Sequence, residues 1–285
     1  MAVKIDGLAC AAEIKKKTRE EVERLLAGGN LPRRPRLDVI LVGENPASQI
    51  YVRGKERDCE ECGFDHHTIR LAAETSQETL VNTIRALNED PGVDAVLLQL
   101  PVEGQDEKEA IREIAPEKDV DCLHPLNMGR LAGGDPLFLP CTPSGVMELL
   151  RAYDIPVRGK DCVVLGRSNI VGKPMARLLS QADGTVTLCH SRTEHLAEYT
   201  RRADILVSAV GRAGLITADM VKEGAVVVDV AMNRGADGKL RGDVDYAGVE
   251  PKASYITPVP GGVGPMTRAC LLQNVLRAAR LRRGC

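Results

Sequence analysis

Tryptophan is absent from this 285-residue chain, phenylalanine occurs twice and tyrosine five times. Its cores must therefore be built from Leu, Val, Ile and Ala, and any tyrosine near a site stands out. No apolar run approaches the roughly 20 residues of a membrane-spanning helix, which argues against a membrane partner. Neither charge sign dominates: 38 basic and 40 acidic side chains leave a net charge of -2. That balance removes the electrostatic footprint of a nucleic-acid or anionic-membrane binder and favours a small-molecule partner. The start, Met1-Ala-Val-Lys-Ile-Asp6, lacks the pattern of an export signal, so a cytoplasmic location is expected. Nine scattered cysteines, an odd number, fit reduced thiols better than a disulfide framework. Cys59-Glu-Glu-Cys62 has no second pair at metal-ligand spacing, so no metal is expected. Cys285 stands last, so no prenylation box is expected.

What is present points to packed α/β structure. The length allows two domains, and 44% hydrophobic residues can furnish a core for each. Helical spacing predicts helices over residues 9–26, 47–62, 77–87 and 266–281, with a shorter one over 146–150. Apolar runs predict strands over 36–42, 67–71 and 95–98, then 162–165, 185–188, 205–207 and 225–228. Such alternation implies mostly parallel sheets whose ligand crevices lie beyond the carboxyl ends of the strands. The expected fold is two α/β domains flanking a cleft. The first covers residues 1–143 and is completed by the last helix, 266–285, packing back on it; the second, 144–265, is a Rossmann-like parallel sheet.

Within that second half, Gly166-Arg-Ser-Asn-Ile-Val-Gly-Lys-Pro174 follows an apolar strand and opens a helix. Gly166 permits a tight turn and Gly172 close helix packing, while free N–H groups and the helix dipole face a dinucleotide's phosphates. Ser168 stands at the usual middle glycine, where its hydroxyl can donate to phosphate. After the next strand, residues 189–193 carry no acid to hold a ribose diol. His190, Ser191 and Arg192, with Arg167, suit a 2′-phosphate instead, which favours NADP over NAD.

In the first half, Tyr51 and Lys55 lie four residues apart on one helix face and can share a ligand. A lysine facing a crevice exchanges protons, and a tyrosine beside it offers a flat face. Gln99 ends a strand, where its amide can orient that lysine. Asp119-Val-Asp121 brings a carboxylate from a loop toward the same crevice, suited to an amidine-like N–H pair. The loop Thr257-Pro-Val-Pro-Gly-Gly-Val-Gly-Pro-Met-Thr267 combines stiff backbone with absent Cβ atoms, as close approach by a flat ligand requires.

Taken together, these segments resemble the bifunctional methylenetetrahydrofolate dehydrogenase/methenyltetrahydrofolate cyclohydrolase family. The resemblance rests on Tyr51-x-x-x-Lys55, Gln99-Leu-Pro101, Lys118-Asp-Val-Asp121, Pro140-Cys-Thr-Pro143, Gly166-Arg-Ser168 with Val171-Gly172, and the stretch from Pro258 to Thr267. It implies NADP-dependent oxidation of 5,10-methylenetetrahydrofolate to the methenyl compound, then hydrolysis to 10-formyltetrahydrofolate, in a homodimer serving purine biosynthesis. It further implies Lys55 as the proton-handling group, Gln99 as its modulator, Tyr51 as stacking platform and Asp121 as pterin anchor. Ser48, Leu100, Pro101, Pro258, Gly261 and Gly262 would line the folate site, and Gly166, Arg167, Ser168, Val171, Gly172, His190, Ser191 and Arg192 the cofactor site. Cys122 departs from the family's glycine, and a side chain there is expected to reposition Asp121. Rival readings are a single-activity dehydrogenase with weak hydrolysis, a non-catalytic nucleotide-sensing module, and an amino-acid or shikimate-type dehydrogenase sharing only the nucleotide half.

Overall fold

The computed structural model describes residues 1–235 and 237–283; Cys285, and with it the end of the expected 266–285 segment, lies outside the described residues. In chain order the elements begin with β1 (Val3–Lys4), α1 (Gly7–Ala27), β2 (Arg36–Val42), α2 (Pro46–Cys62), β3 (Asp65–Leu71) and α3 (Gln77–Glu89). Next come β4 (Ala95–Leu98), α4 (Glu107–Glu113), α5 (Pro125–Gly133), α6 (Cys141–Ala152), β5 (Asp161–Leu165), α7 (Gly172–Gln181) and β6 (Thr185–Cys189). The remainder are α8 (Leu196–Thr200), β7 (Ile205–Ser208), β8 (Val226–Asp229), β9 (Asn233–Arg234), β10 (Leu240–Arg241), α9 (Tyr246–Val249), β11 (Tyr255–Ile256) and α10 (Val263–Leu281).

The chain forms two compact units. One comprises Glu13–Leu139 and the described residues from Arg268 on. Its parallel sheet runs β3-β2-β4, with β2 central. Because the chain leaves β2 for β3 on one side and reaches β4 on the other, the strand order reverses between β2 and β4, where ligand crevices of open sheets form. Residues 37–42 of β2 and all of β4 are buried, as strands covered on both faces must be. Ile40, Leu80, Ile84, Val96, Leu98 and Ala110 belong to one buried cluster. From α10, Asn274 Nδ2 donates to the carbonyls of Val120 and Leu139 at 2.7 and 2.8 Å, tying the last helix into this unit.

The other unit comprises Met1–Ala12 and Pro140–Thr267. Its main sheet has six strands, all parallel, in the order β1-β11-β8-β7-β5-β6, and β9 and β10 form a separate antiparallel pair. Here the order reverses between β5 and β7. The expected placement of residues 1–12 in the first domain is corrected: Val3 and Lys4 pair with Tyr255 and Ile256 in this sheet. Two-residue strands carry no periodicity, so neither β1 nor β11 was visible in the pattern. The helix expected over 146–150 begins earlier, at Cys141, because Pro143 falls in the first turn, where the missing N–H has no helical acceptor to forfeit.

Candidate active site

The α2 helix begins where Asn45 Oδ1 accepts the N–H groups of Ala47 and Ser48 and Pro46 occupies the first turn. Gly63, at φ 75°, ends it. Between those caps one face carries Ser48, Tyr51, Lys55 and Asp58, a spacing of three or four residues. Ser48, Lys55 and Asp58 are buried and Tyr51 is half-buried. Lys55 retains only 9% of its exposure, and its Nζ donates to Gln99 Oε1 at 2.8 Å. Gln99 follows β4 directly and is held there by its N–H to the Ile40 carbonyl on β2. Its Nε2 donates to the Leu100 carbonyl at 2.8 Å, which leaves Oε1 as the end that meets the lysine. Lys55 and Gln99 therefore meet at the carboxyl edge of the three-stranded sheet, beside its point of reversal. Leu100 is half-buried there and Pro101 exposed.

Removing the amide deprives a buried amine of this partner, a loss of about 1–3 kcal/mol. Gln99→Leu is accordingly expected to slow any reaction that depends on Lys55 by about 5- to 150-fold, with thermal stability changed little. Steady-state rates and a melting curve check both halves of that statement.

The two aspartates of the next segment have different fates. Asp119 is buried and accepts from the N–H groups of Leu123 and His124 and from Asn127 Nδ2, and burial raises its pKa. It is a fixture of the loop. Asp121 is half-buried, and no hydrogen bond reaches its carboxylate among the described residues, so its oxygens remain available. Lys118 of the same motif is spent on structure: its Nζ donates to the carbonyls of Leu87, Asn88 and Asp90, closing the end of α3. Burial lowers that lysine's pKa to about 8.

Cys122 adopts φ 58°, the left-handed region in which a glycine is at ease. Its buried thiol donates to the Phe138 carbonyl at 3.3 Å, and burial pushes its pKa up to about 12. The sulfur is directed to Phe138 and makes no hydrogen bond with Asp121 among the described residues. Left-handed backbone costs a non-glycine residue about 1–2 kcal/mol, and burying the small thiol offsets much of it. Cys122→Gly is expected to change stability by less than about 1 kcal/mol and to leave ligand affinity at Asp121 unaltered, which thermal melts and a folate-analogue titration would register.

A further constellation escaped the sequence reading. Asp58 accepts from Arg268 Nε at 2.5 Å and Lys15 Nζ at 3.2 Å, joining α2 to α10 and α1. The Arg268 side chain lies 3.4 Å from where a Cβ on Gly54 would stand. Burial raises the Tyr51 pKa and the nearby Arg268 charge opposes the shift, so the phenol keeps its proton at neutral pH. The only advance signal was Asp58's place on the helix face, three residues after Lys55. The thiols of Cys59 and Cys62 are buried and raised, Cys62 to about 12, which leaves them protonated and inert.

In the six-stranded unit, β5 and β6 are paired through Leu165 and Cys189, so the turns that follow them start side by side. Gly166 has φ 108°, and a Cβ on Gly172 would lie 1.9 Å from the Gly166 carbonyl oxygen. Helix α7 therefore sits hard against the turn. Ser168 Oγ accepts the N–H groups of Val171 and Gly172 at 3.1 and 3.3 Å, and the Ser168 carbonyl takes that of Lys173. The expectation of free donors at the start of α7 is thus corrected: Ser168 caps them, and the exposed turn 167–170 with the Ser168 hydroxyl hydrogen supplies the donors that remain. Arg167, Ser191 and Arg192 are exposed. His190 Nδ1 is taken by the N–H of Arg192 at 3.2 Å, so it shapes its own turn.

Three exposed apolar side chains, Ile170, Val210 and Met232, rise from the ends of β5, β7 and β8. Exposed apolar side chains of this kind suit contact with a nucleotide's rings, and isolated apolar loop residues carry no pattern by which the sequence reveals them. With the exposed arginines and the compact turn they fit a phosphorylated dinucleotide. The loop from Thr257 is anchored by Thr257 Oγ1, which accepts the Asp229 N–H at 2.7 Å. Burial lifts the Asp229 pKa to about 6 against three backbone N–H donors. Gly262 is buried, and a Cβ there would come within 2.6 Å of the Pro258 oxygen, so the loop's own packing demands that glycine. Pro258 and Gly261 are half-buried.

Comparison with known proteins agrees in both halves. A family model described as tetrahydrofolate dehydrogenase/cyclohydrolase, catalytic domain, matches residues 5–121, and the corresponding NAD(P)-binding domain matches residues 140–283. The bifunctional protein FolD of Magnetococcus marinus is 53% identical over 281 residues, 98% of each chain. Among solved structures, the bifunctional FolD methylenetetrahydrofolate dehydrogenase/cyclohydrolase of Campylobacter jejuni is 47% identical, with a TM-score of 0.95 over 99% of this chain and 100% of that one. The Trypanosoma brucei methylenetetrahydrofolate dehydrogenase-cyclohydrolase, complexed with NADP and an inhibitor, is 42% identical, with a TM-score of 0.93 over 98% of both chains. The chain therefore belongs to the tetrahydrofolate dehydrogenase/cyclohydrolase family.

Proposed function

We propose that this chain oxidises 5,10-methylenetetrahydrofolate to 5,10-methenyltetrahydrofolate with NADP and then hydrolyses the methenyl compound to 10-formyltetrahydrofolate. The observation that carries the reading is the buried Lys55, hydrogen-bonded to the half-buried Gln99, on the helix face that also presents Tyr51. Tyr51 supports the pterin ring by its face, and the open carboxylate of Asp121 accepts the ring's paired N–H groups. Ser48, Leu100 and Pro101 border the same edge of the sheet.

In hydrolysis, the oxygen of water bonds to the methenyl carbon while Lys55 Nζ takes a water proton. The same amine returns a proton to the N5 nitrogen as the bond from that nitrogen to the carbon breaks, and the net proton leaves to solvent. Gln99 holds Nζ on the reacting carbon through both transfers. In oxidation NADP, when bound, supplies the carbon that accepts hydride. The chain's own part is alignment: the exposed turn 167–170 and Ser168 hold phosphate, and Ser191 with Arg167 and Arg192 favour a 2′-phosphate. Gly261 and Pro258 would border the ring. The family's habit supports a homodimer in the cytoplasm whose product feeds purine biosynthesis, and light scattering tests the dimer.

The reading is tested by comparing NADP with NAD as oxidant of the methylene folate while following loss of the methenyl product. NADP reduction with little methenyl build-up is expected. Build-up of the methenyl compound would favour a single-activity dehydrogenase, and no oxidation with either cofactor would refute the proposal.

A further inference from the structure

We infer that Asp243 is a positioning residue for cofactor binding, acting through the turn that leaves β7. The inference rests on the functional reading above. Asp243 is fully buried, and no cation contacts its carboxylate among the described residues. Five neutral donors satisfy it instead. Oδ2 accepts from Ser208 Oγ at 2.9 Å, the Val210 N–H at 2.8 Å and the Gly211 N–H at 3.3 Å. Oδ1 accepts from the Arg212 N–H at 2.6 Å and Asn233 Nδ2 at 3.1 Å. A buried carboxylate is costly unless its oxygens are filled in this way, so the anion and the turn's shape depend on each other.

The turn so held is 208–212, at the point of reversal between β5 and β7. Its Ala209 carbonyl oxygen lies 2.3 Å from where a Cβ on Gly166 would stand, so it packs against the phosphate turn directly. Its tip exposes Val210, and Gly211 turns at φ 76°. Asp243 is itself fixed, since its N–H and that of Val244 donate to Asp229 at 3.1 and 2.8 Å. The chain of contacts therefore runs from the end of β8 through Asp243 to the turn beside Gly166.

Asp243→Asn replaces one acceptor by a donor facing other donors. It is expected to raise the KM for NADP about ten- to a hundredfold, the effect of losing one or two such hydrogen bonds, with kcat within threefold. Hydrolysis of the methenyl folate needs no cofactor and is expected within twofold of the wild-type rate in the same preparation. Ser208→Ala, which removes one donor of the five, is expected to raise that KM about two- to fivefold. A folded Asp243→Asn protein with wild-type KM would overturn the inference, as would equal losses of both activities, the mark of a merely structural role. Should Asp243→Asn fail to fold, an unchanged KM in Ser208→Ala would overturn it. Absence of NADP-dependent oxidation in the unmodified chain would instead defeat the functional reading beneath it.

Discussion

Replacing Lys55 by methionine is expected to lower hydrolysis of methenyltetrahydrofolate by about 10²- to 10⁴-fold, the range that a positioned proton-transfer group contributes. The side chains are of similar length, so the buried space remains filled while the amine is lost. Lys55 meets Gln99 at 2.8 Å and neither belongs to the unit that carries the dinucleotide turn, so NADP affinity is expected within twofold of wild type. A stopped-flow record of methenyl decay, with an NADP titration on the same protein, supplies both readings. Hydrolysis retained at the wild-type rate would remove Lys55 from the chemistry.

Gly172→Ala is expected to abolish dinucleotide binding, with affinity for NADP reduced at least about 100-fold. The added Cβ would stand 1.9 Å from the Gly166 oxygen and 2.9 Å from the Arg167 nitrogen, both backbone atoms without a rotamer to give. The start of α7 must then move away from the turn, which undoes the cap made by Ser168. Overpacking of this kind costs about 1–3 kcal/mol and occasionally more, so the melting temperature falls as well. Calorimetric titration with NADP decides it: affinity equal to wild type would mean that phosphate binds elsewhere.

Much of this was readable in the residues, and the exceptions share a cause. Tyr51 and Lys55 follow helical spacing and Gln99 ends an apolar strand, so each is placed by a local period. Which aspartate of Asp119-Val-Asp121 stays open is not local: Asp119 is consumed by Leu123, His124 and Asn127, groups whose approach only the folded loop defines. Distant partners are hidden in the same way. Arg268 and Asp58 are 210 residues apart in the chain, and Ser208 and Asp243 are 35 apart. The hydroxyl of Ser168 suits phosphate by type, while its acceptor role toward Val171 and Gly172 depends on the turn closing upon itself. Short strands such as β1 and β11 form because a neighbouring edge receives them, and two residues carry no alternation from which to foresee it.

The most direct test is a crystal structure of the chain with an unreactive analogue of the methenyl folate. The account requires the analogue's one-carbon bridge within about 3.5 Å of Lys55 Nζ or one water away, its ring on Tyr51 and its N–H pair on Asp121. An analogue bound away from this helix face, with Lys55 turned from the one-carbon bridge, would contradict it.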